Sequence, residues 1–120
     1  RHFIAKRYDK AFSKLPIKIP QQSPNIYSSY HLYPICIKDK EIKKTQKQIY
    51  NEIRKNNVLV NILYIPVHRQ PYYENLGFKK NDFPVAEKFH KEVISIPMYP
   101  TLQSKHQEYV IETIRKVINF

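Results

Sequence analysis

Apolar residues recur at helical spacing near both ends of the chain. The first fifteen residues carry a stripe at i, i+4, i+7, i+8 and i+11, formed by Ile4, Tyr8, Ala11, Phe12 and Leu15. A second stripe, close to the other end, is formed by Val110, Ile114, Val117 and Ile118. These patterns predict an opening helix that ends at Pro16 and a closing helix that begins at Ser104, where Gln107 completes a capping box.

Between them, the apolar positions Ile42, Ile49 and Ile53 predict a helix that Asp39 caps and that ends at Asn56. A loop with short helical pieces is expected from residue 67 to about residue 91. Its second piece begins near Asp82, with Val85 and Phe89 on one face.

Three segments have the composition of strands. Residues 27–37 are rich in strand-favouring side chains, but Pro34 cannot donate to a ladder, so we expect an edge strand or a bulge there. Residues 58–65 are almost all apolar, which predicts a strand covered on both faces. Residues 94–98 alternate and predict a third, short strand. We therefore expect an α+β fold, a small antiparallel or mixed sheet of about three strands with packed helices.

Length and composition limit the class of protein. With 120 residues, 42% of them hydrophobic, the chain has enough apolar material for one small folded domain and is not a disordered basic tail. No stretch approaches the ~20 apolar residues of a membrane span, and the single cysteine, Cys36, fits a reducing compartment, so a cytoplasmic location is expected. Gly77 is the only glycine, which excludes glycine-rich phosphate loops from these residues.

The formal net charge of +11 is concentrated in the first half of the chain. Residues 1–57 hold 13 Lys or Arg against 4 Asp or Glu, whereas residues 58–120 hold 8 against 6. Such a field attracts polyanions, so a stand-alone module that binds RNA or another polyanion is one hypothesis. The chain lacks an RNA-binding signature and its aromatic residues follow core patterns, which favours a solvated basic face.

The segment from Tyr64 to Tyr73 is the richest in candidate chemistry. Its tyrosines can stack on a nucleoside or sugar, and His68 and Arg69 can meet negative charge. A loop directly after a buried strand is a common place for a ligand. A tyrosine-rich cover over the sheet edge accounts for the same residues equally well, so the residues alone leave both interpretations open.

No catalytic centre or metal site is recognisable in the sequence. The five histidines are scattered and form no HxxxH or HExxH pair. Cys36 lies between two isoleucines, as an inert buried thiol does. We therefore assign no catalytic residue and no metal ligand.

Four motifs, in this order and spacing, resemble the C-terminal region of the DegT/DnrJ/StrS family of sugar-nucleotide aminotransferases. They are YHLYPI at 30–35, VNILYIPVH at 60–68, DFPVAE at 82–87 and ISIPMYPTL at 94–102. The opening segment, residues 1–15, resembles the helix that leads out of the family's large domain. Because its periodicity is already running at Phe3 and Ile4, with no cap before Arg1, we expect residues 1–15 to end an inter-domain helix. Residues 16–120 would then be the C-terminal small domain of a longer aminotransferase.

The resemblance implies a fold type I enzyme that uses pyridoxal 5'-phosphate, is usually a homodimer, and moves an amino group from glutamate to a keto sugar. Within the family it is greatest to enzymes that aminate UDP-linked 4-keto-6-deoxy sugars for pseudaminic acid and related surface glycans. The family's Schiff-base lysine and Asp-x-x-His motif belong to the large domain and have no counterpart here. The cofactor is thus expected mainly in that domain, no residue here is assigned to it, and the isolated chain is expected to be inactive, with no nucleic-acid or membrane partner.

The resemblance also implies which residues approach the substrate. The strand end and loop that match Leu63, Tyr64, Ile65 and Pro66 lie near the nucleotide-sugar in relatives, and His68 follows directly. Many relatives have histidine where this chain has Leu63, so a polar contact there is lost or replaced. Sugar dehydratases of the same family, and a non-functional remnant, are the further alternatives. Exposed apolar surface is expected where a large domain would pack.

Overall fold

The computed structural model describes residues 1–118, without the side chains of Asp39 and Lys40. The end of the predicted domain and the predicted cap by Asp39 therefore lie outside the described part. Three strands, β1 (Ile17–Lys18), β2 (Tyr33–Ile37) and β3 (Val93–Ile96), form one antiparallel sheet in that order. The helices are α1 (His2–Phe12), α2 (Asp39–Ile42), α3 (Gln46–Lys55), α4 (Pro71–Asn75), α5 (Pro84–Glu92) and α6 (Ser104–Ile118), and a 3₁₀ turn spans Val67–Arg69. The predicted α+β fold is confirmed.

The register of β2 and β3 builds the core layer of the sheet. Tyr33 pairs with Ile96 and Ile35 pairs with Ile94. Because directly paired residues of antiparallel strands point to the same side, these four side chains form one apolar layer, and all are buried. The intervening residues of β2 point to the other side and are half-buried. The third strand predicted at residues 94–98 is present as β3, but it spans Val93–Ile96 and all four of its residues are buried, so burial does not alternate along it.

Helix α1 packs on this layer, and Ile4, Tyr8 and Phe12 of its predicted stripe are buried. Ala11 is half-buried, and Leu15 lies beyond the helix, which ends at Phe12 rather than at the predicted Pro16. The rings of Tyr8 and Tyr33 lie 5.0 Å apart. The Tyr33 hydroxyl donates to Oδ1 of Asp9 at 2.6 Å, and the Tyr8 hydroxyl donates to the carbonyl oxygen of Pro97 at 2.9 Å. Burial raises the pKa of both phenols, so both remain hydrogen-bond donors at neutral pH.

Helix α6 buries the stripe that its sequence predicts. The prediction that Gln107 completes a capping box is wrong, however, because its side chain is buried and turned toward α1. Nε2 of Gln107 donates to the carbonyl oxygen of Ile4 at 2.8 Å. The side-chain amide of Gln107 therefore joins α6 to α1 and does not cap the N-terminus of α6.

The helix predicted to start at Asp39 is divided into α2 and α3. The backbone reverses at Lys43, where φ is +55°. Thr45 then caps α3 in a capping box, in which the Thr45 hydroxyl accepts from the amide N–H of Gln48 and the Gln48 side chain accepts from the amide of Thr45. A Thr and a Gln three residues apart specify this new start.

The prediction of a doubly covered strand at residues 58–65 is wrong. Val58 and Val60 are buried, but Leu59 is 72% exposed and Tyr64 is 93% exposed. Asn61 alone pairs with the sheet, through two backbone hydrogen bonds to Ser95 of 2.8 and 3.0 Å. Alternation with a period of two holds only as far as this bridge, after which the chain leaves the sheet.

The prediction of β2 as an edge strand is also wrong, because β2 lies between β1 and β3. Proline is tolerated at position 34 because β1 is only two residues long. Strand β1 pairs only with Cys36 and Ile37 of β2 and does not reach Pro34.

Helix α5 starts close to the predicted point but buries a different residue. Val85 is 83% exposed and Phe89 is also exposed, whereas Glu87 is buried. Within residues 1–118, no helix is both long enough and apolar enough to cross a membrane.

Replacing Tyr33 by Phe removes its hydrogen bond to Asp9 and keeps the buried ring. A hydrogen bond to a charged group contributes roughly 1.5–3 kcal/mol. Because Asp9 is half-exposed, we expect Tyr33→Phe to lower the free energy of unfolding by about 1.5 kcal/mol in urea denaturation. Tyr64→Phe makes the same change at an exposed position and serves as the control. Equal losses from the two substitutions would contradict this assignment.

Candidate substrate site

The substrate segment, defined here as residues 63–69, follows the single bridge at Asn61 and leaves the sheet edge. Tyr64 and Ile65 are exposed, Leu63 and Pro66 are half-exposed, and His68 is buried. The structure therefore brings four of the five predicted substrate residues to accessible surface and turns His68 inward. The role of all five in substrate binding stays a prediction.

Prolines and the single glycine shape the chain around this segment. Pro66 precedes the 3₁₀ turn, and Pro71 occupies the first turn of α4, where its missing N–H costs nothing. Gly77 has φ of +104°, which a side chain rarely permits, and its N–H bonds to the carbonyl of Glu74 as α4 ends. Helix α5 follows and brings Glu87 back to His68 of this segment.

His68 and Glu87 fasten the substrate segment to α5. Nε2 of His68 lies 2.8 Å from Oε1 of Glu87, and both side chains are buried. The same oxygen accepts the amide N–H of Asn81 at 2.6 Å. The hydrogen bonds from His68 and from the Asn81 amide hold the pKa of the Glu87 carboxyl below its ordinary value. Glu87 thus remains ionised at neutral pH. As a hydrogen-bond acceptor it joins the substrate segment and the turn at Asn81 to helix α5.

An aromatic groove of about 350 Å³ opens beside this pair. The ring of Phe83 lies 4.9 Å from that of His68, and Phe78 lies 6.0 Å from Phe83. Tyr73 and Pro66 complete the wall. The groove is apolar and open, so it suits the face of a ring or the side of a sugar.

A basic pocket of about 250 Å³ lies next to the same segment. Its walls are Ile65, Pro66, Arg69, Lys80, Glu87, His90 and Lys91. The guanidinium of Arg69 donates to Glu74 at 2.7 Å, and this bond raises the pKa of Arg69. Pro66 belongs to both the basic pocket and the aromatic groove. The groove therefore offers apolar ring faces, and the neighbouring pocket offers positive charge.

A lysine that forms a Schiff base with pyridoxal phosphate is held in a desolvated pocket. Lys38 and Lys44 are half-exposed, and every other lysine with a described side chain is exposed. Within residues 1–118, no group of three His, Cys, Asp or Glu side chains could hold a metal ion. Cys36 is half-buried, and this burial raises its pKa, as expected of an inert thiol.

Glu87, Asn81 and Phe83 belong to the site but were not predicted as site residues. Glu87 is 19 residues from His68, and no local periodicity links them. The only sequence signal was the DFPVAE motif at 82–87, which contains both Phe83 and Glu87. Large apolar side chains are exposed around this site, among them Tyr64, Ile65, Val67, Tyr72, Leu76, Phe83 and Val85.

The fold is shared with solved structures of sugar aminotransferases. Spr1654 of Streptococcus pneumoniae, named as a sugar aminotransferase and solved in its PMP-form, superposes with a TM-score of 0.85 at 28% identity, covering 98% of this chain and 29% of that one. The model of the DegT/DnrJ/EryC1/StrS aminotransferase family matches residues 1–115. The chain belongs to this family.

Two curated relatives indicate the range of the family. The spore coat polysaccharide biosynthesis protein SpsC of Bacillus subtilis is 31% identical and aligns with 98% of this chain. The UDP-4-amino-4,6-dideoxy-N-acetyl-beta-L-altrosamine transaminase of Campylobacter jejuni is 28% identical over the same share. In each case this chain covers 31% of the relative. The chain therefore spans less than a third of their length.

The lowered pKa of Glu87 predicts a loss of stability in acid. Its carboxylate stabilises the fold above the unfolded pKa, near the ordinary value of 4.5, and this contribution disappears as the pH falls through the lower folded pKa. We expect the urea midpoint to decrease below pH 4.5 and Glu87→Gln to reduce that decrease. Glu112→Gln, at an exposed position on α6, is the control, and an equal reduction there would refute the prediction.

Proposed function

We propose that this chain is the C-terminal small domain of a longer aminotransferase that uses pyridoxal phosphate. In this proposal the enzyme transfers an amino group from glutamate to a UDP-linked 4-keto-6-deoxy sugar for a surface glycan such as pseudaminic acid. Residues 1–15 end an inter-domain helix, and residues 16–120 form the small domain. The enzyme works as a cytoplasmic homodimer. Pyridoxal phosphate, bound mainly by the large domain, carries the amino group between donor and acceptor.

The observation that carries the proposal is the exposed substrate segment beside an aromatic groove and a basic pocket. Ring faces and cations around one accessible strand end suit a ligand that contains a sugar, a base and phosphates. The family membership and the transaminase activity named for the Campylobacter jejuni relative support the same reaction class. That named activity also favours transamination over sugar dehydration.

The residues of this chain bind and orient the substrate in this proposal. Tyr64 and Ile65 contact the nucleotide-sugar from the exposed strand end. His68 acts indirectly: its buried hydrogen bond to Glu87 fixes the position and direction of the substrate segment. Fixing the segment before the substrate arrives lowers the entropy cost of binding.

The first test is to sequence the coding DNA upstream of Arg1 and to express the complete reading frame. An upstream domain with a lysine ahead of a glycine-rich stretch and an Asp-x-x-His motif is expected. The complete protein should convert a UDP-4-keto sugar with glutamate, and the 120-residue chain alone should not. A reading frame that closes directly before Arg1, or turnover by the chain alone, would contradict the proposal.

Tyr64→Ala in the complete protein tests the substrate segment. Loss of one aromatic contact of about 1.4 kcal/mol predicts a roughly tenfold lower kcat/KM for the nucleotide-sugar. The half-reaction with glutamate should be unchanged, because the segment faces the sugar side. Tyr27→Ala removes a similarly exposed ring from the loop before β2 and is the control. A loss shared by both half-reactions would instead indicate a general structural defect.

A further inference from the structure

We propose that Gln46 holds an outer helical unit, defined here as residues 67–92, against the core of the domain, and that this unit opens as one body when Gln46 releases it. The unit contains the 3₁₀ turn, α4 and α5, and it shares residues 67–69 with the substrate segment. Gln46 is thus a positioning residue for the substrate. This last step rests on the proposed function, whereas the contact made by Gln46 does not depend on it.

Apolar packing does not hold the outer helical unit. Within the described chain, the hydrophobic core contains no residue between Val60 and Ile94. Only His68 and Glu87 of the unit are buried, and they bond to each other. Their hydrogen bond therefore joins the 3₁₀ turn to α5 inside the unit and does not tie the unit to the rest of the domain. A segment with few buried apolar contacts belongs to the least stable part of a fold.

The side chain of Gln46 supplies a connection from outside. Its Nε2 donates to the carbonyl oxygens of His90 at 2.9 Å and of Val93 at 2.6 Å. Both partners only accept, so the NH₂ group of the side chain must face them. His90 lies in the last turn of α5, where carbonyl groups lack a partner within the helix. Among the described side chains outside residues 62–94, no other forms a hydrogen bond with the unit.

Gln46 is itself anchored in the rigid part of the domain. It is the first residue of α3, which places Ile49 and Ile53 in the hydrophobic core with 0% of their surface exposed. The contact therefore joins a core helix to a unit that has no core residue of its own. Because α5 carries Glu87, and Glu87 bonds to His68, the position of α5 also sets the position of the substrate segment.

Hydrogen exchange of the complete protein, followed by mass spectrometry, tests the role of Gln46. Gln46→Glu keeps the size of the side chain and replaces the donor by an acceptor, and an acidic residue suits the first turn of α3. Loss of two hydrogen bonds predicts a roughly tenfold faster exchange, shared by the peptides that cover the 3₁₀ turn and α5. The peptide that covers β2 should exchange as in the wild type.

The matched control is Gln48→Glu. It makes the same change in the same turn of α3, at an exposed side chain whose oxygen accepts from the Thr45 amide, as a carboxylate also can. Gln46→Lys keeps a donor and should retain slow exchange. Unchanged exchange in Gln46→Glu, an equal rise in Gln48→Glu, or fast exchange in Gln46→Lys overturns the proposal. So does a rise that reaches β2 or that is confined to α5, because the unit then does not open as one body.

Exchange in the presence of a ligand tests the positioning of the substrate. A UDP-linked N-acetyl-hexosamine without a keto group cannot react and serves as the probe. A ligand that binds only the closed unit suppresses opening by the factor 1 + [L]/Kd. At about ten times its Kd, measured by calorimetry, the probe should therefore slow exchange of the outer helical unit about elevenfold. A bound probe that leaves this exchange unchanged overturns the positioning role.

The role of Gln46 and the proposed function can fail separately. Exchange that accelerates in Gln46→Glu alone, in a complete protein that neither binds the probe nor transaminates a nucleotide-sugar, supports the contact and rejects the function. Transamination of a nucleotide-sugar, with equal exchange in all variants, supports the function and rejects the role of Gln46. Faster exchange in Gln46→Glu, suppressed by the probe, in a protein that transaminates the nucleotide-sugar supports both.

Discussion

The antiparallel ladder between β2 and β3 is the constraint on which the rest of the structure depends. It sets Tyr33, Ile35, Ile94 and Ile96 on one side of the sheet, and a slip of one residue between the strands would place Tyr33 and Ile35 on the opposite side from Ile94 and Ile96. Helix α1 can dock only because Tyr33 then points at Tyr8 and Asp9. Helix α6 is in turn tied to the backbone of α1 by the side chain of Gln107.

The candidate site depends on a second, smaller interaction. The substrate segment has one backbone bridge to the sheet and mostly exposed side chains, so packing alone does not define its path. The buried hydrogen bond between His68 and Glu87 supplies the missing restraint, and Glu87 also binds the Asn81 amide. One carboxylate thereby positions the segment, the turn before α5, and the boundary between the aromatic groove and the basic pocket.

The sequence predicted the elements whose own periodicity is strong. The stripes of α1 and α6 were correct in their central positions because each reflects burial on one side of a helix. A strand near residues 94–98 was also correct, but all four residues of β3 are buried, so its alternating sequence does not reflect one buried face. The apolar run at 58–65 was misread because hydrophobicity alone does not tell a strand inside a sheet from a segment that leaves its edge. The pairing of His68 with Glu87 was invisible, since it joins residues far apart in the chain. Likewise, the basic pocket is lined by Arg69, Lys80 and Lys91 from three separate parts of the chain, whereas the composition gives only the number of cations.

The bridge between Asn61 and Ser95 has a consequence for how the domain can change. Because these two residues are hydrogen-bonded neighbours, residues 62–94 form an excursion that leaves the sheet and returns to the same point. The entropy cost of closing such an excursion rises only slowly with its length. Insertions and substitutions within its exposed turns therefore leave the register of β2 and β3 in place. The excursion can therefore differ between chains built on this plan while the sheet that carries it stays the same.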